Sequence, residues 1–115
     1  MLVYDKAHEL AAEIKKSGDY LEYERLKTLV MADETNKKLI AEYKKLQLEA
    51  QAAYLSGNAP SDETMDKLKT LGGLLGFNSD VAAYLAAEYK LQTMVGDVYK
   101  IIGDACGIGL DFLTE

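Results

Sequence analysis

The chain contains one histidine and one cysteine, residue types that are common in metal sites and in nucleophilic catalysis. His8 follows Asp5 by three residues, which places an imidazole and a carboxylate on one helical face. Carboxylate-bridged metal bundles need such a pair from two helices and further Glu residues, so one chain supplies at most half. No inward Glu is evident in the long helix predicted for residues 33–55. We therefore interpret His8 as a surface residue, with a metal site as the alternative.

Cys106 lies in the segment Asp104-Ala105-Cys106-Gly107, which follows a predicted helix. The negative end of the helix dipole disfavours a thiolate there, and no nucleophile motif surrounds the residue. We expect a semi-buried structural thiol, no catalytic residues and no enzymatic activity. A lone cysteine also cannot close an intrachain disulfide, which favours a reducing, cytoplasmic location.

One basic ridge is a candidate for RNA contact. It repeats after seven residues on one helix and consists of Lys37, Lys38, Lys44 and Lys45. Glu34 and Glu42 lie three or four residues from lysines of this ridge, so the charges largely neutralise one another. The chain also carries 13 Lys and Arg against 19 Asp and Glu, a net charge of −6 that disfavours phosphate backbones. We interpret the ridge as a solvated helix face and expect no direct binding of nucleic acid.

The composition is typical of one folded domain: 115 residues, of which 49% are hydrophobic and 28% charged. A single Pro and the absence of Trp, with most Gly after residue 71, favour helices over a many-stranded sandwich or barrel. The longest unbroken apolar stretch, Val81 to Ala87, is far shorter than the roughly 20 residues of a membrane span. We expect no contact with a membrane. The N-terminus also lacks an apolar run of signal-peptide length.

Hydrophobic spacing and capping residues predict five helices. Their predicted ranges are 4–16, 19–32, 33–55, 61–77 and 79–102. The predicted N-terminal caps are Asp19 with Glu22 as a capping box, Asp33, Ser61, and Ser79 or Asp80. Gly57 is expected to end the third helix in the left-handed conformation. Residues 1–104 are predicted to form the helical domain, and residues 105–115 an irregular C-terminal tail.

The two long predicted helices, 33–55 and 79–102, define the expected architecture. The first would be roughly 34 Å long, which predicts an elongated antiparallel bundle of all-α class. The second is apolar around most of its circumference, so it must be covered on more than one side. A second subunit is the simplest cover, and we expect a homodimer or larger homo-oligomer. The residues expected to build the core and the oligomer or partner interface are Leu39, Tyr43, Leu46, Val81, Tyr84, Leu85, Tyr89, Leu91, Val95 and Tyr99.

Several motifs occur in a recognisable order along residues 4–104. They are Ser17-x-x-Tyr20, Ala32-Asp33, Gln51, Gly57, Asn78-x-x-Val81-x-x-Tyr84-Leu85-x-Ala87-Glu88-x-x-Leu91 and Asp97-Val98-x-Lys100-Ile101-Ile102. In this order the chain resembles the YlbF/YmcA-like family of small helical bacterial proteins. The resemblance implies an all-helical, self-associating subunit that acts without enzymatic activity in regulatory complexes, including complexes with related helical proteins. Such complexes affect competence, sporulation, biofilm formation and RNA processing by an endonuclease.

Some members of that family carry several C-terminal cysteines that help to hold an iron–sulfur cluster. The matching region here contains only Cys106, and a cluster normally takes four ligands, so the other ligands would come from other subunits. The first hypothesis is therefore a cofactor-free interaction module. The alternatives are a cofactor-bearing subunit that uses Cys106, with His8 as a further ligand, and an RNA-contacting accessory subunit that uses the basic ridge.

Overall fold

The computed structural model describes residues 1–108, of which 87% are helical. The five helices are α1 (Leu2–Lys16), α2 (Gly18–Met31), α3 (Glu34–Leu55), α4 (Asp62–Gly76) and α5 (Ser79–Cys106). No strand occurs in this part of the chain. The predicted all-α class and the number of helices are confirmed.

The clearest difference from the predicted limits is the end of α5, which continues through Gly103 to Cys106 instead of ending near residue 102. Gly103 is buried, and its carbonyl accepts a hydrogen bond from the Ile108 amide at 3.2 Å. Gly107, at φ +69°, adopts the left-handed conformation that ends the helix. The helix therefore passes one glycine and ends at the next. The remainder of the predicted tail, residues 109–115, lies outside the described residues.

Side-chain caps define the starts of α3 and α4 as predicted. The Asp33 carboxylate accepts hydrogen bonds from the amides of Thr35 at 2.8 Å and Asn36 at 3.1 Å. The Ser61 hydroxyl accepts from the Thr64 amide at 3.1 Å. Each cap satisfies amides of the first turn that have no partner within the helix.

The predicted cap of α2 is wrong by two residues. Ser17 takes this position, since its hydroxyl accepts a hydrogen bond from the Tyr20 amide at 3.2 Å. Asp19 already lies inside the helix, and Glu22 binds Arg25 at 2.7 Å instead of closing a capping box. Ser17 and Asp19 are both good caps, and the sequence pattern did not separate them.

The predicted cap of α5 is also displaced. The Asn78 side-chain oxygen accepts from the amides of Asp80 at 3.1 Å and Val81 at 3.2 Å, and α5 begins at Ser79. Three consecutive residues, Asn78, Ser79 and Asp80, are all favoured at a cap, so the backbone conformation decides which one is used.

The chain divides into two compact units. One consists of Leu26–Ala83, and the other of Met1–Arg25 together with the residues from Tyr84 onward. Helices α2 and α5 each contribute one part to each unit. The division into a domain at 1–104 and a tail at 105–115 stays a prediction.

The unit Leu26–Ala83 is built around the pair formed by α3 and α4. Gly57, at φ +80°, donates to the Tyr54 carbonyl, and Asn58 donates to the Ala53 carbonyl, which is the Schellman motif expected after α3. Tyr43 approaches Gly72 of α4, where an added Cβ would lie 3.7 Å from the Tyr43 hydroxyl. Both positions are about three turns from the loop, so the two helices run antiparallel. The buried residues of this unit are Leu26, Val30, Ile40, Leu46, Ala50, Leu75 and Val81.

The burial pattern along α3 predicts which substitutions destabilise the fold. Ile40 is 1% exposed and Leu48 is 66% exposed. We expect Ile40→Ala to lower the free energy of unfolding by about 2–5 kcal/mol, because it removes buried methylenes and leaves a cavity. Leu48→Ala on the same helix should change it by less than about 0.5 kcal/mol. Urea unfolding followed by circular dichroism measures both, and equal effects would contradict the described core.

The position of the α5 cap predicts different effects on stability for substitutions at two neighbouring residues. Asn78→Ala should lower the free energy of unfolding by about 1 kcal/mol, because two amides of the first turn lose their acceptor. Ser79→Ala should have a much smaller effect, since Ser79 is a helical residue here. Thermal unfolding of the two variants measures the difference. A larger loss of stability for Ser79→Ala than for Asn78→Ala would show that Asn78 is not the cap of α5.

Candidate interaction surface

The predicted interface residues of α3 face the inside of their own unit. Leu46 is buried, and Leu39 and Tyr43 are half-buried. The Tyr43 ring lies against Gly72, so the apolar stripe of α3 formed by Leu39, Tyr43 and Leu46 packs on α4 of the same chain. The role of these three residues in a partner interface stays a prediction. Only the exposed parts of Leu39 and Tyr43 are available for such an interface.

The predicted interface residues of α5 fall into three groups by exposure. Val81 and Tyr84 are buried in the chain's own core. The half-buried residues are Leu85, Leu91 and Val95. Tyr89 and Tyr99 are 73% and 43% exposed. These two tyrosines are the predicted interface residues that offer most surface to another protein.

Two further apolar residues extend the exposed part of α5. Ile101 and Ile102 both lie on the surface, one or two turns before the end of the helix. They occur in the family-like motif of the sequence, but their exposure was not predicted. A helix that presents exposed tyrosine and isoleucine side chains over several turns carries an apolar surface available for binding.

Tyr84 organises the contact between α2 and α5 in its unit. Its ring stacks on Tyr23 with centroids 5.7 Å apart, and its hydroxyl donates to the Glu88 carboxylate at 3.1 Å. An ion pair of 3.3 Å joins Lys90 of α5 to Asp19 of α2. Burial of the phenol, and then the negative charge of Glu88, raise the pKa of Tyr84 well above its ordinary value. The group therefore stays a neutral hydrogen-bond donor.

The other helix of this unit, α1, has no buried residue. Ile14 is half-buried, whereas Leu2, Val3, Tyr4 and Leu10 are exposed. This exposed apolar face of α1 was not among the interface residues predicted from the sequence. The signal was present in the spacing Val3-x-x-x-Ala7-x-x-Leu10-x-x-x-Ile14, which repeats steps of four and three residues.

The residues considered for metal binding lie on the surface. His8 on α1 and Cys106 at the end of α5 are exposed, so the expectation of a semi-buried thiol is wrong. Within residues 1–108, no three His, Cys, Asp or Glu side chains converge as potential metal ligands. A depression of about 330 Å³ on α4 is lined by Asp66, Lys67, Thr70 and Leu71. Since one helix forms it, it is a shallow surface feature.

The basic ridge of α3 is interrupted by acidic neighbours. Lys37, Lys38 and Lys45 are exposed, and Lys44 is half-buried. The pKa of Lys67 on α4 is raised, chiefly by its hydrogen bond to Glu63 and also by Glu42 and Glu49 of α3. Carboxylates of α3 therefore act on the same surface region as the α3 lysines, and the positive charge is not concentrated.

The family-level comparison matches residues 3–106 to the model described as "Control of competence regulator ComK, YlbF/YmcA". The chain belongs to this YlbF/YmcA family. Two relatives are each named "UPF0342 protein". The one from Halothermothrix orenii is 36% identical over 110 residues, which cover 96% of this chain and 93% of the relative. The one from Clostridium novyi is 37% identical over 105 residues, covering 91% and 92%. The resemblance predicted from the motifs is confirmed.

Solved structures support the fold of this YlbF/YmcA-family chain. A protein of unknown function (DUF964) from Bacillus stearothermophilus superposes with a TM-score of 0.75 at 20% identity, covering 93% of this chain and 94% of that one. Bacillus subtilis RicA, solved in complex with RicF, gives a TM-score of 0.59 at 22% identity, with coverage of 91% and 93%. Within residues 1–108, no helix has the length and apolar character that a membrane span requires.

The raised pKa of Tyr84 predicts a specific dependence of stability on pH. The unfolded chain releases this phenolic proton near its ordinary pKa of about 10, whereas the folded chain keeps it to higher pH. The stability contributed by the neutral phenol is therefore complete below about pH 10 and is lost as the pH rises further. Tyr84→Phe should show a shallower loss of stability above pH 10. The measurement is urea unfolding at a series of pH values from 8 upward.

Tyr54→Phe is the matched control, because Tyr54 is exposed on α3. This variant should follow the wild-type pH dependence. Equal alkaline slopes for Tyr84→Phe and the wild type would contradict the role assigned to the buried phenol.

Proposed function

We propose that this chain is a nonenzymatic regulatory subunit of the cytoplasm that acts by binding other proteins through exposed faces of its helices. The observation that carries the proposal is the apolar surface of α5, with Tyr89, Tyr99, Ile101 and Ile102 exposed on one helix. Tyrosine combines a large apolar ring with a polar tip and is enriched at protein interfaces. Several large apolar side chains exposed along one helix are typical of a helix that binds other proteins.

Membership of the YlbF/YmcA family, described by control of a competence regulator, supports the regulatory part of the proposal. The neighbour RicA is solved in complex with RicF, which supports binding between proteins as the mode of action. For the present chain we propose complexes with related helical proteins and self-association as a homodimer or larger oligomer. Competence, sporulation, biofilm formation and RNA processing are the processes in which such a complex would act.

The cofactor-bearing and RNA-contacting alternatives are not adopted. Cys106 is exposed, but within the described residues no further ligands converge. The α3 lysines share their surface region with acidic side chains. The exposed tyrosine and isoleucine side chains of α5 are therefore the feature that best supports a function.

The proposal is tested by measuring solution mass. The purified chain is analysed by size-exclusion chromatography with light scattering, alone and mixed with each other YlbF/YmcA-family chain encoded by the same genome. We expect a mass above that of a monomer in at least one case. A Tyr89→Glu variant should weaken association with a second family chain by about tenfold or more, because that interface would have to bury an unpaired charge.

Tyr54→Glu is the matched control, since it makes the same replacement at a tyrosine that is 63% exposed on α3. Circular dichroism should show the same helicity for both variants, because neither side chain is part of the core. No complex with a second chain in any mixture, or equal association of the Tyr89→Glu and Tyr54→Glu variants with that chain, would overturn the proposal.

A further inference from the structure

Helix α1 is an amphipathic helix whose apolar stripe is only partly covered by its own chain. The stripe consists of Val3, Ala7, Leu10 and Ile14, separated by steps of four, three and four residues. Val3 is 66% exposed and Leu10 is 39% exposed, and no residue of α1 is buried. An isolated helix of 15 residues is marginal in water, so helices of this length are stabilised mainly by packing of their apolar face. The spacing is that of a coiled-coil core.

We propose that this stripe is a self-association surface on which α1 of a second copy docks in antiparallel orientation. In this register Val3 packs against the partner's Ile14, and Ala7 packs against the partner's Leu10. The twofold axis passes between positions 8 and 9 and repeats both layers. The inference deepens the proposed self-association by naming its surface and orientation, and it involves a different helix from the α5 face.

Side-chain sizes favour the antiparallel arrangement. Each of its layers combines a smaller residue with a larger one, since valine meets isoleucine and alanine meets leucine. On the flank of the stripe, Tyr4 falls beside the partner's Ala11, where a large ring covers a small side chain. A parallel arrangement in register would place Ala7 opposite the partner's Ala7 and leave a gap in that layer.

The charges beside the stripe also select a second copy in antiparallel orientation. Lys6 and Glu13 occupy equivalent flanking positions, each immediately before a core residue. Antiparallel docking brings Lys6 near the partner's Glu13, and symmetry repeats this pair. Parallel docking would instead bring Lys6 near the partner's Ala11, so that the lysine has no charged partner.

Lys6 and Glu13 already form ion pairs within α1, and these pairs do not prevent pairing across the proposed interface. Lys6 pairs with Glu9 at 3.2 Å and Glu13 pairs with Lys16 at 3.8 Å, within the same helix and on highly exposed side chains. Exposed pairs of this type contribute little to stability. Helix α1 also carries three acidic and three basic residues, so the docked helices themselves bring no excess of one charge to the interface.

A charge-exchange experiment tests the surface. Sedimentation equilibrium at low salt compares the wild type with Lys6→Glu, Glu13→Lys and the double variant. Each single variant should raise the dissociation constant about tenfold, because symmetry places two like-charged pairs across the interface. The double variant should restore association, since it reverses both partners of each pair.

Lys15→Glu is the matched control, because it makes the same change of charge away from the stripe and should leave the dissociation constant unaltered. A Leu10→Lys variant should abolish docking of α1 and retain the fold, because Leu10 is not one of the buried core residues. A monomeric wild type, or self-association insensitive to these stripe and flank variants, would overturn the inference. In the second case the proposed function would stand, with another surface responsible for self-association.

Disulfide formation tests the orientation. In a Cys106→Ser background, an untagged Ala7→Cys chain is mixed with an affinity-tagged Leu10→Cys chain and oxidised. Antiparallel docking predicts a mixed disulfide between positions 7 and 10 in preference to either symmetric product, because those side chains share a layer. Predominance of the symmetric disulfide between two Ala7→Cys chains would establish the parallel orientation and overturn the proposed register. Absence of every cross-link would overturn the docking itself.

Discussion

The burial of apolar side chains is the constraint on which the rest of this structure depends. A helix conceals one stripe of its surface against one neighbour, and five helices in a chain of this length supply few neighbours. Nearly half of the sequence is hydrophobic, yet only a small set of side chains within residues 1–108 is buried. Much apolar surface therefore remains exposed, especially on α1 and α5. This excess connects the fold to a function in binding.

The buried contacts that do exist determine what the exposed faces present. In one unit the stripe of α3 is covered by α4, with the Tyr43 ring against Gly72. In the other, the Tyr84 ring stacks on Tyr23 and Lys90 pairs with Asp19, and these two contacts join α5 to α2. Fixing α5 by its Tyr84 side leaves Tyr89 on the surface. The same internal packing that stabilises the chain thus presents the tyrosine on which the proposed function depends.

The positions of the helices were predictable because their signals are local. Hydrophobic spacing, the caps at Asp33 and Ser61, and the left-handed Gly57 depend on neighbouring residues and agree with the structure. The two displaced caps occur where several capping residues lie close together. There, small differences in backbone conformation choose between Ser17 and Asp19, or between Asn78 and its two successors.

The sequence by itself determined the all-α class, the number of helices and the family, because periodicity and motif order are written into the order of residues. It also indicated that the helices carry more apolar surface than one chain covers. Only the tertiary structure decided which of those residues are exposed. Val81 and Tyr84 are buried in the chain's own core, Tyr89 is on the surface, and no residue of α1 is buried. Periodicity identifies an apolar face. Which residues pack on that face depends on contacts between residues far apart in the chain, and no local pattern specifies those contacts.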